Sequence, residues 1–324
     1  MKTLHKFWLA VFFLALLQFT GGCTWSTAPA ADEKATVNLW VTRDFGEETI
    51  FSAEIPLNSD QSVLSLLQEH LEVETEYGGG FISAINGLES GYSAAESEGV
   101  QKTDWFYYVN GILSGQGAAT YVPAGGDHIW WDYHLWSDTP FVPAVIGAFP
   151  QPFLGGFQGN NPGTLILSGD GCGEQAEQLA RFLEEQGCSS VEISPYCEEK
   201  AAKRSQIVLV VALWEQLEES SFWQGIQQHR DSTGWFAELT SQGFYPLDRH
   251  ASRQGEKYHE GAGAILSTGS GLADPHPLWL VTATDREGLE GTVETLLKKT
   301  EQFAQKTGVL VSGGDIIGLP LNAK

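Results

Sequence analysis

The densest chemistry in this chain is aromatic: Trp105, Phe106, Tyr107 and Tyr108 form one stretch, and Trp130, Trp131, Tyr133 and Trp136 form another. Rings at that density either fill a core or present flat, amphipathic surfaces on which a broad ligand can stack. His128, Asp132 and His134 share parity through the second stretch, so on a strand they project to one face, where they could hold a metal or stand as separate surface residues. The second of these is the expectation. Gly169-Asp170-Gly171-Cys172-Gly173 lacks the spacing of a dinucleotide loop and reads as a tight turn entering a helix. Cys172 reads as a buried cysteine rather than a nucleophile. Ser267 to Gly271 supplies glycine and serine without the elbow of a serine hydrolase. These residues predict a binding protein with no catalytic set, no metal and no intrinsic cofactor.

The elements that must position the rings are strands around one helix. Thr36 to Val41 alternates, Thr49 to Ile55 follows a turn at Gly46, and Ser62 to Leu71 has helical spacing with Leu64, Leu67 and Leu71 as its buried stripe. Phe81 to Ile85, Trp105 to Val109 and His128 to Leu135 follow, bounded by turns such as Asn86-Gly87 and Asn110-Gly111. Two strands, a helix and several strands is a β-grasp order, with the helix across one face of the sheet. Alternation sends Trp131 and Tyr133 to one face and Trp130, Asp132, His134 and Trp136 to the other. One set fills the space under the helix; the other is covered by the rest of the chain or open to a ligand. The charge of Asp132 beside Trp130 puts the open face on the Trp130 side.

After Trp136 the rhythm changes. Ser137 to Gly163 is rich in proline and glycine yet carries Phe141, Val142, Val145, Ile146 and Phe149, which predicts a packed connector rather than a free linker. Thr164 to Leu167, Val191 to Ile193, Ile207 to Val211 and Leu278 to Thr282 read as buried strands. They alternate with helices over Glu174 to Glu185, using Ala176, Leu179 and Phe182, and over Leu289 to Gln305, with Asp285 as its cap. Val309 to Val311 closes the series. This alternation predicts a parallel, layered α/β domain. The expected fold class is therefore α+β, an N-terminal β-grasp-like domain over 36–136, a connector over 137–163 and an α/β domain over 164–324.

The N-terminus predicts export. Lys2, His5 and Lys6 precede an apolar run from Phe7 to Phe19, too short to span a bilayer core of ~30 Å and suited to a signal peptide over 1–22. The small residues Gly21 and Gly22 lead to Cys23, the position that a bacterial lipobox would lipidate, with 23–35 as a tether. The expected location is the outer face of the cytoplasmic membrane. A formal charge of -23, with no Lys/Arg cluster, excludes nucleic acid as a partner. Cys172, Cys188 and Cys197 are odd in number, so at most one internal bridge can form.

A family resemblance is carried by Tyr77-Gly78-Gly79-Gly80-Phe81, Ile85-Asn86-Gly87, Asp104-Trp105-Phe106-Tyr107-Tyr108-Val109-Asn110-Gly111, Gly117, Tyr121 and Gly126-Asp127-His128-Ile129-Trp130-Trp131. Over residues 36 to 136 the chain resembles the transcobalamin-like C-terminal domain family, the small β-domain that closes over cobalamin and also occurs in bacterial surface lipoproteins. The resemblance implies a corrinoid as ligand, bound by Trp105, Tyr107, Tyr108, Gly117, Tyr121, Trp130, His134 and Trp136, for delivery to an uptake transporter. It covers a third of the chain, and the large helical domain that supplies the other jaw in vertebrate relatives is missing. Closure would then fall to the second half or to the transporter. The alternative is a cell-envelope module whose aromatic face binds polysaccharide or another surface protein.

Overall fold

The computed structural model describes residues 35–95, 99–135 and 141–321. Cys23 and Trp136 lie outside these residues. The first half runs β1 (Thr36–Arg43), β2 (Glu48–Pro56), α1 (Val63–His70), β3 (Val73–Glu76), β4 (Phe81–Ile85), β5 (Leu88–Glu89), β6 (Gly91–Ala95), β7 (Gly99–Val109), β8 (Ile112–Leu113) and β9 (His128–Leu135). Its main sheet has the order β2-β1-β9-β7-β6, with β8 paired to β7 and β3-β4-β5 forming a separate small sheet. The first strand lies parallel to the last and antiparallel to its hairpin partner β2, the arrangement expected of a β-grasp.

Local sequence accounts for these elements. Asn110 and Gly111 both have positive φ, 54° and 79°, and join Val109 to Ile112 as a two-residue hairpin turn; only such backbone twist matches the twist of the strands it connects. Asn86-Gly87 does the same between β4 and β5. Ser62 caps α1 by accepting from the Ser65 amide at 3.2 Å. The buried stripe of α1 is Val63, Leu66 and Leu67. Leu64 and Leu71 are half-buried, so the predicted stripe was rotated by part of a turn.

The second half runs β10 (Thr164–Ser168), α2 (Gly173–Glu185), β11 (Val191–Pro195), α3 (Glu198–Ala202), β12 (Ile207–Leu213), α4 (Ser221–Gln228), α5 (Arg230–Thr233), β13 (Ala237–Thr240), β14 (Gly243–Pro246), β15 (Ala262–Thr268), β16 (Leu278–Ala283), α6 (Arg286–Lys298), β17 (Gly308–Ser312) and β18 (Asp315–Leu319). The seven-stranded sheet has the order β11-β10-β12-β16-β15-β17-β18. Its first four strands are parallel, as expected, and β15, β17 and β18 run antiparallel. The all-parallel expectation fails here because β15 reaches β16 through a short loop, and an antiparallel neighbour needs no crossover helix. β11 is an edge strand with Ile193 44% exposed, not the buried strand expected. α6 begins at its Asp285 cap, which accepts from the Gly288 amide at 2.7 Å, and gives way after Lys298 to a tighter turn over Thr300–Phe303. Among the described residues no helix is long and apolar enough to cross a membrane.

Three clusters of buried side chains hold this together. One lies between α1 and the first sheet, built on Val37, Leu39, Leu66, Ile129 and Trp131. Another lies under α2 and α6 and includes Ile166, Leu209, Val281 and Val293. The third contains residues of both sheets, among them Trp40, Tyr108 and Trp130 from the first and Val208, Val210, Leu280 and Leu310 from the second. All seven residues of β12 are buried, as a strand covered on both faces requires. The connector is packed: Val142, Val145, Ile146, Phe149 and Phe153 are buried, the Val145 amide donates to the Gly111 carbonyl at 2.8 Å, and the Ile146 amide donates to that of Thr307.

Candidate functional site

On the α1 side of the first sheet, β7 and β9 pair Trp105 with Tyr133 and Tyr107 with Trp131. Tyr107 and Trp131 stack at 4.6 Å between centroids, and Trp105 meets Tyr133 at 5.0 Å. A cleft of about 230 Å³ opens at this ladder, floored by Trp105, Tyr107 and Trp131 and walled by backbone of 79–82 and 114–118. Glycine makes the walls thin. Gly79 has φ +89, and a Cβ on Gly117 would stand 3.5 Å from the Gly80 carbonyl oxygen, so the two loops meet through bare backbone.

The polar groups of the cleft are mostly committed. The Tyr107 phenol donates to the Gln116 carbonyl, and burial pushes its pKa up to about 12, so it stays a donor. The indole of Trp105 donates to the Leu88 carbonyl at 3.0 Å, and the Tyr133 hydroxyl donates to that of Glu89 at 2.7 Å. Ser114 Oγ donates to the Gln116 carbonyl and accepts its amide, which fixes the 114–118 loop. Trp131 is the exception: its buried indole N–H has no acceptor among the described residues. Beside the cleft Phe81 is 38% and Tyr77 87% exposed.

The opposite face is closed. Trp130 Nε1 donates to Thr42 Oγ1 at 2.7 Å, and Thr42 donates in turn to Asp132 Oδ1 at 2.5 Å. Asp132 also accepts the amides of Phe45 and Gly46, at 2.9 and 3.0 Å, and pairs with His134 Nδ1 at 2.7 Å. The His134 ring is sandwiched between Phe45 and Phe106, with centroids 4.2 and 4.3 Å away. A buried carboxylate with four donors is a structural group with no capacity left for a ligand. His128 stands apart from this pair: it faces the Asn38 amide at 3.2 Å, and burial lowers its pKa to about 4.

The expected binding residues therefore separate. Trp105, Tyr107 and Gly117 meet at the cleft, with Trp131, which sequence reasoning assigned to the core. Trp130 and His134, expected on the open face, and Tyr108, expected at the ligand, lie buried instead: Trp130 and Tyr108 complete the core that both sheets share, and His134 is held between Phe45 and Phe106. Burial and the nearby Asp132 charge hold the Tyr108 phenol well above its ordinary pKa. Tyr121 is buried against Phe157, and its carbonyl accepts the Val63 amide at the start of α1. Its task is to hold the helix entrance.

Cys172 is buried in the turn before α2, burial raises its thiol pKa, and Cys172, Cys188 and Cys197 are unbridged. Among the described residues no group of three or more His, Cys, Asp or Glu side chains could hold a metal ion. Sequence reasoning missed Phe81 and Ile82 as lining residues; the three glycines before Phe81 were the available signal, since they bring backbone close to the rings.

Residues 60–135 match the domain of unknown function DUF4430. Among solved structures the chain is similar to haptocorrin, in a crystal structure of its complex with Cbi. That match has 19% identity and a TM-score of 0.25, covering 35% of this chain and 28% of that one. The chain thus spans little more than a quarter of haptocorrin's length. No curated protein matches.

Proposed function

We propose that this chain is a lipid-anchored surface protein that binds a corrinoid, cobalamin-like, or a similar amphipathic cofactor for uptake, without catalysing a reaction on it. The observation that carries the reading is Trp131, which lines the glycine-walled cleft and whose buried indole N–H has no acceptor among the described residues. Leaving such a donor buried and unpaired costs ~1–3 kcal/mol. A carbonyl on the amide rim of a corrinoid would accept that proton once the 114–118 loop yields by the width of a contact. The cleft is smaller than the ~300–1,000 Å³ that engulfs a drug-sized molecule, so it takes one edge of a larger ligand. The remainder is left for other surfaces or for a transporter component to cover. The family resemblance of residues 36 to 136 supplies the ligand class, and the signal-like N-terminus ending at Cys23 supplies the anchor.

The test is titration of the mature protein with cyanocobalamin and with cobinamide, read by tryptophan fluorescence and calorimetry. Quenching at micromolar ligand is expected, weakened about tenfold or more in Phe81→Ala and Gly117→Val, a loss of ~1.4 kcal/mol, with melting temperatures near the parent. No response of the folded parent to either corrinoid overturns the ligand. For the anchor, Cys23→Ser protein should appear in the medium; if it still fractionates with membranes, the anchor is wrong. The exposure of Tyr77 and Phe81 favours a second reading, an envelope module docking polysaccharide or a surface protein. Retention on cell-wall polysaccharide with no corrinoid response would decide for it.

A further inference from the structure

We infer that the second sheet contributes to ligand binding at this cleft: the loop between β15 and β16, residues 269–277, extends the binding surface, and Leu272 is its contact residue. The inference rests on the reading above and goes beyond the part of the chain that the family match covers, which ends at residue 135.

Three observations meet at this loop. It abuts the cleft wall: the Ala273 amide donates to the Leu113 carbonyl at 2.9 Å, and a Cβ placed on Gly115 would lie 3.2 Å from the Ala273 Cβ and 3.8 Å from that of Leu272. Gly115 is itself a lining residue. Leu272 is 55% exposed, one of the few large apolar side chains left in water among the described residues. The loop that holds it there is over-determined. Asp274, nearly buried, accepts the Ser270 amide and hydroxyl at 2.8 and 2.9 Å and the His276 amide at 2.9 Å. Arg204 pairs with the same carboxylate at 3.2 Å and donates through Nε to the His276 carbonyl at 2.6 Å. Ala273 sits in the left-handed region at φ 54, a conformation a non-glycine residue keeps only where its surroundings enforce it. The fold therefore fixes an apolar side chain in solvent, beside a glycine, at the edge of a cleft.

Size gives that arrangement a use. A ligand too broad for about 230 Å³ must overhang the 114–118 wall, and the first surface it meets beyond Gly115 is Leu272 and Ala273. With Phe81 of β4 on the 79–82 wall, the rim then offers apolar contacts from the small β3-β4-β5 sheet and from the β15–β16 loop around a floor of rings and backbone. The class of ligand this suits is a wide, flat molecule with apolar edges between its polar groups. A ligand small enough to sit inside the cleft would not reach the loop.

The experiment compares Leu272→Ser with Phe81→Ala and the parent in the full mature chain, each titrated with cyanocobalamin and cobinamide after its melting temperature is recorded. Leu272→Ser is expected to melt with the parent, since the side chain is already half in water, and to bind both corrinoids about tenfold more weakly. If Leu272→Ser binds as the parent does while Phe81→Ala is weakened, the loop plays no part and the cleft of the first half stands alone. If the folded parent binds neither corrinoid, the ligand reading fails and takes the loop with it. Should Leu272→Ser fail to fold, Leu272→Met, which keeps apolar volume, must restore both stability and affinity; folding without affinity would count against the contact.

Discussion

The two faces of β9 are built from the same kinds of residue and have opposite fates. On one, Trp130, Asp132 and His134 form a closed circuit in which every strong donor and acceptor at Asp132 is matched inside the protein. On the other, Trp131 and Tyr107 stack at a cleft, and Trp131 keeps an unmatched donor. Aromatic content does not distinguish a core from a platform; on this strand the two faces differ in that one is closed by the second sheet and the other opens on a cleft walled by glycine loops.

The comparison breaks most directly at Asp132. Asp132→Ala strands Thr42, two backbone amides and His134 in a dry interface, and losing one member of a buried pair costs about 3–5 kcal/mol. Trp130→Ala should cost a similar amount through its cavity. Chemical denaturation of both should show large losses of stability while the Phe81→Ala form stays near the parent. Equal stability of the Asp132 and Phe81 variants would mean the two faces are not different in kind.

A second test uses acid. Burial lowers the His128 pKa from 6.5 to about 4, so as pH falls the unfolded chain takes up this proton first. Stability should decline from about pH 6.5 and the loss should be complete near pH 4, amounting to roughly 3 kcal/mol. His128→Gln keeps an acceptor for Asn38 and has no proton to gain, so its stability should fall less steeply across that window. A parallel pH profile for parent and variant would remove His128 from the acid response.

The smallest effect sharpens the open face. Tyr107→Phe deletes the phenol's hydrogen bonds to the Gln116 carbonyl and the Ser114 side chain, a loss of about 1 kcal/mol, and should loosen the 114–118 loop. Amide exchange at Gln116 and Gly117 is expected to quicken while exchange in β1 stays slow. Unchanged exchange in the loop would show that its other bonds, those of Ser114 and of the Gln116 side chain with Thr120 and Gln158, hold it without the phenol.

Much of this was legible in residues whose physics is local. Asn110-Gly111 and Asn86-Gly87 announced their hairpins, Asp285 its helix, and the parity of β9 correctly separated Trp131 from Trp130. Which face would be open was not legible, because the charge of Asp132 suggests solvent when it is considered alone. Its partners, Phe45, Gly46 and Thr42, lie some ninety residues earlier, and only the parallel pairing of β1 with β9 brings them together. The antiparallel half of the second sheet was hidden for a related reason: β15 is buried along its whole length, and period alone cannot tell a strand's direction. The loop at Leu272 gave a glycine and serine signal but no hint that it would meet Gly115.

The parallel pairing of β1 with β9 has a mechanical consequence as well. β1 sits inside the sheet, held by β2 on one side and by six registered residues of β9 on the other. A pull applied at Thr36 along the strand loads the rungs on both sides in shear, all at once, instead of peeling them open one after another from an edge. A chain tethered through its N-terminus would then meet drag or a tugging partner with its most resistant strand, and would yield first at weaker places farther along.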